Sequence, residues 1–363
     1  MLTRAYPPEL IDEVVAAHGR REQRHRLLPA RVVVYYVLAL ALFSEQTYEE
    51  VARLLNEGLA WAGHSQAPWR APSKSAIAQG RARLGAGPLK ALFDWAASPL
   101  ATETTMQTWY RRWRLMALNR TIFDVVGTPA NVAAFGRPGG GYEQTSGASP
   151  QVRLVGLAEA GTHTLVGAAI GGCAAKETTL AADLAGSCQP EMLVMADWGV
   201  LPVKLWRQLS AGGADLLWRT KPSVVLPVDK ALPDGSYLSH VEAAGDRAGD
   251  RVVVRVVECA LNNPGRREPG APYRLLTTIL DLAQAPAAEL AALYAERGER
   301  ETTLDELKNY QGEARLALRS KTPDGVHQEL YGHLLVHYAI RGLRHDAALP
   351  AGIAGTGPRS SAR

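Results

Sequence analysis

Written as a helix, the stretch Tyr294-Ala-Glu-Arg297-Gly-Glu-Arg-Glu301-Thr-Thr-Leu-Asp-Glu-Leu-Lys308 gathers Tyr294, Arg297, Glu301 and Lys308 within about 60° of arc on one face. A phenol, a guanidinium, a carboxylate and an ammonium then line up. Such a face suits phosphoryl transfer: the carboxylate can hold a divalent metal, Arg and Lys can grip neighbouring phosphates, and the phenol can hydrogen-bond or stack. The same spacing also suits a solvated helix laced with i, i+4 ion pairs.

About a hundred residues upstream, Met192-Leu-Val-Met-Ala-Asp197-Trp-Gly199 reads as an apolar strand that ends in a carboxylate and a turn. Mg²⁺ takes a few carboxylate oxygens together with waters and phosphate oxygens, so Asp197 and Glu301 can share a site if the fold brings them together. The alternative for Asp197 is a cap on the following turn. Further short strands are expected at Leu115–Leu118, Val152–Leu157 and Thr164–Ile170, separated by turns such as Gly136-Arg-Pro-Gly-Gly-Gly141. Residues 224–280 carry β-branched alternation, as in Val252-Val-Val-Arg-Val-Val257, and helices resume near Ala287.

Before Leu115 the pattern is helical. The twelve-residue apolar run Val32–Phe43 is too short to span a bilayer, which needs roughly 20 residues, and is expected as a buried helix. Thr47, with Glu50 at the capping-box position, and Ser73 after Pro72 are expected helix starts. Ile77 and Leu84 share one face of the second of these helices, and Lys74 and Arg81 share the neighbouring one. Between Arg70 and Arg114 eight basic residues stand against two acidic ones, an excess greater than the +4 of the whole chain. That block fits either a small helical domain touching DNA phosphates or a solvated basic surface.

The 363 residues are 47% hydrophobic and 21% charged, a composition that excludes a mainly disordered or fibrous chain. Cys173, Cys188 and Cys259 are too few and too far apart for a disulfide framework or a CxxC metal knuckle, so a reducing cytoplasm is expected. His333 and His337 are spaced i, i+4 but lack the HExxH glutamate, and are expected as core or interface histidines.

These residues resemble the insertion-sequence-4 family of bacterial DDE transposases over about Leu28 to Asp346. Tyr294, Arg297, Glu301 and Lys308 match every fixed position of the family's Tyr-x2-Arg-x3-Glu-x6-Lys signature. Pro72–Ile77, Thr128–Gly136, Gly213–Arg219 and Leu318–Gly325 are also similar. The resemblance implies an α/β RNase H-like catalytic core with a β-rich insertion, preceded by an all-helical N-terminal domain. On that reading residues 1–114 form the helical DNA-binding domain, 115–221 the first part of the core, 222–284 the insertion, 285–346 the C-terminal core helices and 347–363 a disordered tail. It also implies a cytoplasmic, nucleoid-associated enzyme that binds double-stranded DNA at element ends and target sites, acts as a homodimer, has no membrane partner, and uses Mg²⁺ with Mn²⁺ able to substitute. Asp197 and Glu301 match the second and third metal-binding acids; Tyr294, Arg297, Lys308, Lys74 and Arg81 are the expected DNA contacts.

The first acid is where the chain departs: Asn119 occupies its position. An amide offers one neutral oxygen and cannot supply the charge that holds two divalent ions close together. Asp124, five residues on, faces the other way if the strand continues. Arg120 replaces an expected Gly, Gly127 a usual Asp, Trp198 a usual Arg and Gly298 a usual Trp, and the sequence after Asp346 departs from the family and reads as cut short. Such a chain is expected either to keep some transposase activity or to act as an inactive DNA-binding regulator of active copies.

Overall fold

A computed structural model of the chain describes residues 2–22, 28–61, 72–139, 148–199, 202–242, 251–260, 272–300 and 318–348. Six helices come first: α1 (Leu2–Ala5), α2 (Pro8–Ala17), α3 (Ala30–Leu42), α4 (Tyr48–Trp61), α5 (Lys74–Leu84) and α6 (Gly87–Ala96). Then follow β1 (Trp109–Tyr110), β2 (Trp113–Asp124), α7 (Pro129–Phe135), β3 (Gln151–Glu159), β4 (Leu165–Gly172), α8 (Glu177–Ala182), β5 (Met192–Gly199), α9 (Val203–Ser210) and β6 (Asp215–Thr220). The chain goes on through β7 (Lys230–Ala231), β8 (Tyr237–Val241), β9 (Val252–Ala260), β10 (Pro272–Thr277), α10 (Ala287–Arg300) and α11 (Pro323–Ala348).

Among the described residues the strands form one sheet in the order β4-β3-β2-β5-β6-β10-β9-β8-β7, with β1 hairpinned onto β2. β2, β3 and β4 are antiparallel, whereas β5 and β6 run parallel to β2. This antiparallel meander joined to two parallel strands is the RNase H-like arrangement. Helices cover both faces, so β5 is buried from Met192 to Ala196 and reads as a continuous apolar run. Met116, Leu118, Val194 and Ala196 pack on one face with α9, while Leu115, Leu193 and Met195 pack on the other with α10.

Residues 222–284 are strand-rich, as expected, but their strands continue the main sheet. β10 pairs antiparallel with β6 from Leu217↔Thr277 to Thr220↔Arg274, and β9 and β8 follow outward. Sequence alternation announces a strand but not its partner, and an open β6 edge is satisfied most simply by the next strand.

The helical region shares a core with α11 and part of the sheet. α3 holds the apolar run from Val32 to Leu42, with Phe43 as its C-cap, and is buried nearly all round, because α11 lies against it. Gly332 permits that approach: a Cβ there would come within 3.1 Å of the Val37 side chain and carbonyl. The Tyr6 hydroxyl donates to the Leu335 carbonyl at 2.7 Å, and the same core takes in Phe123, Val152 and Leu154 from the sheet. The capping expectations hold in part. Thr47 Oγ1 and Ser73 Oγ accept from the amides of Glu50 and Ala76, but the Glu50 carboxylate turns to Arg53, so the box is not closed. No helix among the described residues is long and apolar enough to cross a membrane.

His333 and His337 lie inside α11's packed face, and burial pushes both imidazoles down to about 4. An unfolded histidine protonates near pH 6.5. Between those values the unfolded chain takes up protons that the native core refuses, so stability falls as pH drops through this window. Urea unfolding between pH 7.5 and 4.5 is expected to show that decline, and His337→Leu to make it shallower. An unchanged slope in the variant removes His337 as a cause.

Candidate functional site

Two adjacent parallel strands build the site. The β2–β5 register runs from Arg114↔Met192 to Ala117↔Met195, and two residues beyond on each strand stand Asn119 and Asp197. An even offset keeps both side chains on the face of Ala117 and Met195. That is the face covered by α10, where Leu290, Leu293 and Tyr294 pack against Leu193, Met195 and Leu217. The Tyr294 hydroxyl donates to the Ala196 carbonyl at 3.2 Å, one residue before Asp197. Asn119, Asp197 and the Tyr294 stretch of α10 are therefore on one face of the sheet.

Tyr294, expected from sequence as a DNA contact, is held inside the fold. The ring is 6% exposed and anchors α10 to β5. Its neighbours on the helical face are apolar, which a four-residue motif does not register. Arg297 belongs to α10, while Glu301 and Lys308 lie outside the described residues.

Asp197 is exposed at a bulge where the β5–β6 register shifts, and its carboxylate meets Arg219 Nη1 at 3.1 Å. Arg219 is its cross-strand neighbour on β6 and stacks over Tyr273, 4.9 Å from the ring centroid. Sequence reasoning passes over Arg219 as a site residue. Its signal is positional, a cation at the far end of the next parallel strand, and needs the register to be seen.

Asn119 is half-buried, and its cross-strand partner on β3 is Gly156, which offers no side chain. β2 runs unbroken to Asp124, so the odd offset puts that carboxylate on the opposite face, roughly 16 Å along the strand. There it accepts from Gln151 Nε2 at 2.9 Å. Two departures beside the acids are built into the fold: Arg120 pairs with Glu177 of α8, and Trp198 packs on Trp218. Among the described residues no three His, Cys, Asp or Glu side chains gather so as to hold a metal ion. The described donors at the site are one carboxylate and one amide oxygen. These hard oxygens fit Mg²⁺ or Mn²⁺, with one charge fewer than two carboxylates would supply.

Among the described residues, several members of the basic block are turned onto partners within the chain. Arg81 is buried: it donates to Gln328 Oε1 at 2.9 Å, Ser320 Oγ at 2.8 Å and the Gly325 carbonyl at 3.0 Å. The guanidinium expected as a phosphate contact is thus taken up by bonds within the chain. Arg114 is committed to the buried Glu159 carboxylate, Arg111 to Glu289 and Lys90 to Asp94. Lys74, at the start of α5, keeps a side chain 76% exposed, 3.4 Å from Glu49.

Two family models match the chain: "Insertion element 4 transposase N-terminal" over residues 1–94 and "Transposase DDE domain" over residues 114–338. Among curated relatives, "Transposase InsG for insertion sequence element IS4" of Escherichia coli (strain K12) is 28% identical over 348 residues, covering 92% of this chain and 74% of its own length. InsZ of the same strain is 24% identical over 212 residues, 58% of this chain and 68% of its own length. A cryo-EM structure of the piggyBac transposase synaptic complex with hairpin DNA is a distant likeness, 11% identical with a TM-score of 0.45 over 95% of this chain and 74% of that one.

Proposed function

We propose that this chain, which belongs to the DDE transposase family and carries an insertion element 4 transposase N-terminal region, recognises the double-stranded ends of an insertion element and cuts and joins DNA at the end of β5, beside Asn119 of β2. The observation that carries the reading is the side-by-side placement of Asn119 and Asp197 under α10, with Tyr294 hydrogen-bonded beside Asp197. Water would attack the phosphodiester at the element end, and the freed 3′-hydroxyl would then attack target DNA, both as in-line displacements. A divalent ion, Mg²⁺ or Mn²⁺, held by Asp197, Glu301 and the Asn119 amide oxygen would supply Lewis-acid polarisation of the phosphoryl oxygen. The rest falls to the chain. Asp197 brings the negative charge, Arg219 balances it, and Arg297 and Lys308 grip the phosphates. We place the protein in the cytoplasm on nucleoid DNA, as a homodimer bridging paired ends.

The neutral Asn119 supports a second reading. With Asp124 on the opposite strand face and Asp197 paired to Arg219, the site is one charge short, which suits a protein that binds ends without cutting and regulates active copies.

Both readings require end recognition. Gel retention at a fixed salt near 0.1 M is expected to show the element's own terminal duplex bound at least about tenfold more tightly than random duplex. Equal affinity for the two overturns both. Mn²⁺-dependent cleavage that disappears in Asp197→Ala favours the enzyme, and binding without cleavage favours the regulator.

A further inference from the structure

The hairpin Trp109-Tyr-Arg-Arg-Trp-Arg114 interleaves aromatic and basic residues, a pattern that invites a nucleic-acid reading, yet Tyr110, Arg111 and Arg112 are turned onto residues 283–289 of this chain. Tyr110 pairs with Trp113, leaving Arg111 and Arg112 as a two-residue turn. Arg111 has φ +53°, where tight hairpins favour glycine or asparagine. A non-glycine residue persists in that region when its surroundings over-determine it. Here the surroundings are the start of α10. Arg111 donates to both oxygens of Glu289 at 2.9 to 3.2 Å and to the Ala283 carbonyl at 3.0 Å. The Tyr110 hydroxyl reaches the same carboxylate at 2.7 Å, and Arg112 reaches Gln284 at 3.1 Å.

A second set of tethers comes from the strand-rich stretch. Asp234, in the turn between β7 and β8, accepts from the Ala287 amide at 2.9 Å and so caps α10 from outside the helix. The fully buried Arg255 of β9 donates to Asp234 at 2.5 Å and to the Ala285 carbonyl at 2.7 Å. Residues 283–289 are thus gripped from two sides by segments more than a hundred positions apart. Five residues after Glu289, Tyr294 fixes the same helix to β5 beside Asp197.

We propose that this double grip is a positioning clamp: Arg111 and Asp234 set the axis of α10 across the end of β5, and so set the surroundings of Asp197. The inference rests on the reading of that strand end as the DNA-cutting site. Arg111→Gly separates the clamp from the fold, because glycine accepts the positive φ while losing every contact to α10. Glu289→Gln removes the charge from the other partner without changing its shape.

The test combines hydrogen exchange on the full chain with cleavage in the Asn119→Asp background. In either variant, exchange over residues 283–294 is expected to be about tenfold faster, with residues 113–124 and 151–159 unchanged. Added to Asn119→Asp, either change is expected to raise the Mn²⁺ concentration for half-maximal cleavage about tenfold, at unchanged affinity for end DNA. Unchanged exchange over 283–294 overturns the clamp, as does faster exchange with an unaltered metal requirement. If Asn119→Asp itself does not cut, the functional reading fails on its own account, and exchange alone decides the clamp.

Discussion

Asn119→Asp is expected to raise Mg²⁺-dependent cleavage of element-end DNA by about a hundred- to a thousand-fold over the parent, the range associated with one group aimed at developing charge. The substitution is nearly isosteric at a half-buried position facing Gly156, so the strand pairing has no reason to change. What changes is charge. A second carboxylate two positions beyond Ala117↔Met195 stands beside Asp197, and without a cation the pair repels. The variant should therefore be stabilised by added Mg²⁺ more than the parent is, by about 1.4 kcal/mol for an ion at ten times its Kd. Asp124→Asn in the variant should leave cleavage intact, since that carboxylate faces away and is bonded to Gln151. Cleavage by Asn119→Asp no faster than the parent's would sink the assignment of Asn119 to the first-acid position.

The second large effect concerns stability. Arg81 is 8% exposed and its guanidinium lies 3.6 Å from the Glu329 carboxylate, which is itself buried. Glu329 also accepts from the Arg319 amide at 2.8 Å and from Ser320 Oγ at 2.6 Å, and Gln328 returns a bond to the Arg81 carbonyl at 2.8 Å. Arg81→Ala leaves that carboxylate buried without its cation, a change that costs about 3–5 kcal/mol. Urea unfolding should show the loss directly. Lys74→Ala, seven residues earlier on an exposed side chain, should change stability by under about 0.5 kcal/mol. If Lys74 touches phosphate, its removal should lower the salt dependence of DNA binding by about one unit of slope. An Arg81→Ala protein that unfolds at the parent's midpoint while binding DNA more weakly would return Arg81 to the DNA-facing set.

Arg81 also shows where sequence reading stops. The pattern of α5 places Ile77 and Leu84 on a buried face, and they are buried; it places Lys74 and Arg81 together on the neighbouring face, and there the two part company. A single helix reveals which residues share a side, not that α11 and the 318–322 segment arrive from about 240 positions away to enclose one of them. The same limit explains the basic block, whose excess is real in composition yet is met by partners such as Glu159 and Glu289. Parity arguments travelled further. The apolar strand ending in Asp197, the opposed facing of Asn119 and Asp124, and the buried α3 all follow from periods of two and 3.6 and need no knowledge of partners. Register is what periodicity cannot supply. It decides that Arg219 meets Asp197 and that β10 closes on β6.

The bond between the Tyr6 hydroxyl and the Leu335 carbonyl joins residues 329 positions apart, tying the link between α1 and α2 to α11, which also lies against α3. On a ribosome adding about 5–20 residues per second, roughly a quarter of a minute to a minute separates the appearance of its two ends. For most of that interval α3 has been made with its apolar flank uncovered, because the surface that closes over it has yet to be translated. The nascent protein thus spends most of its synthesis in need of chaperone cover. A chain halted before α11 has every residue of its first six helices and a finished core in none of them.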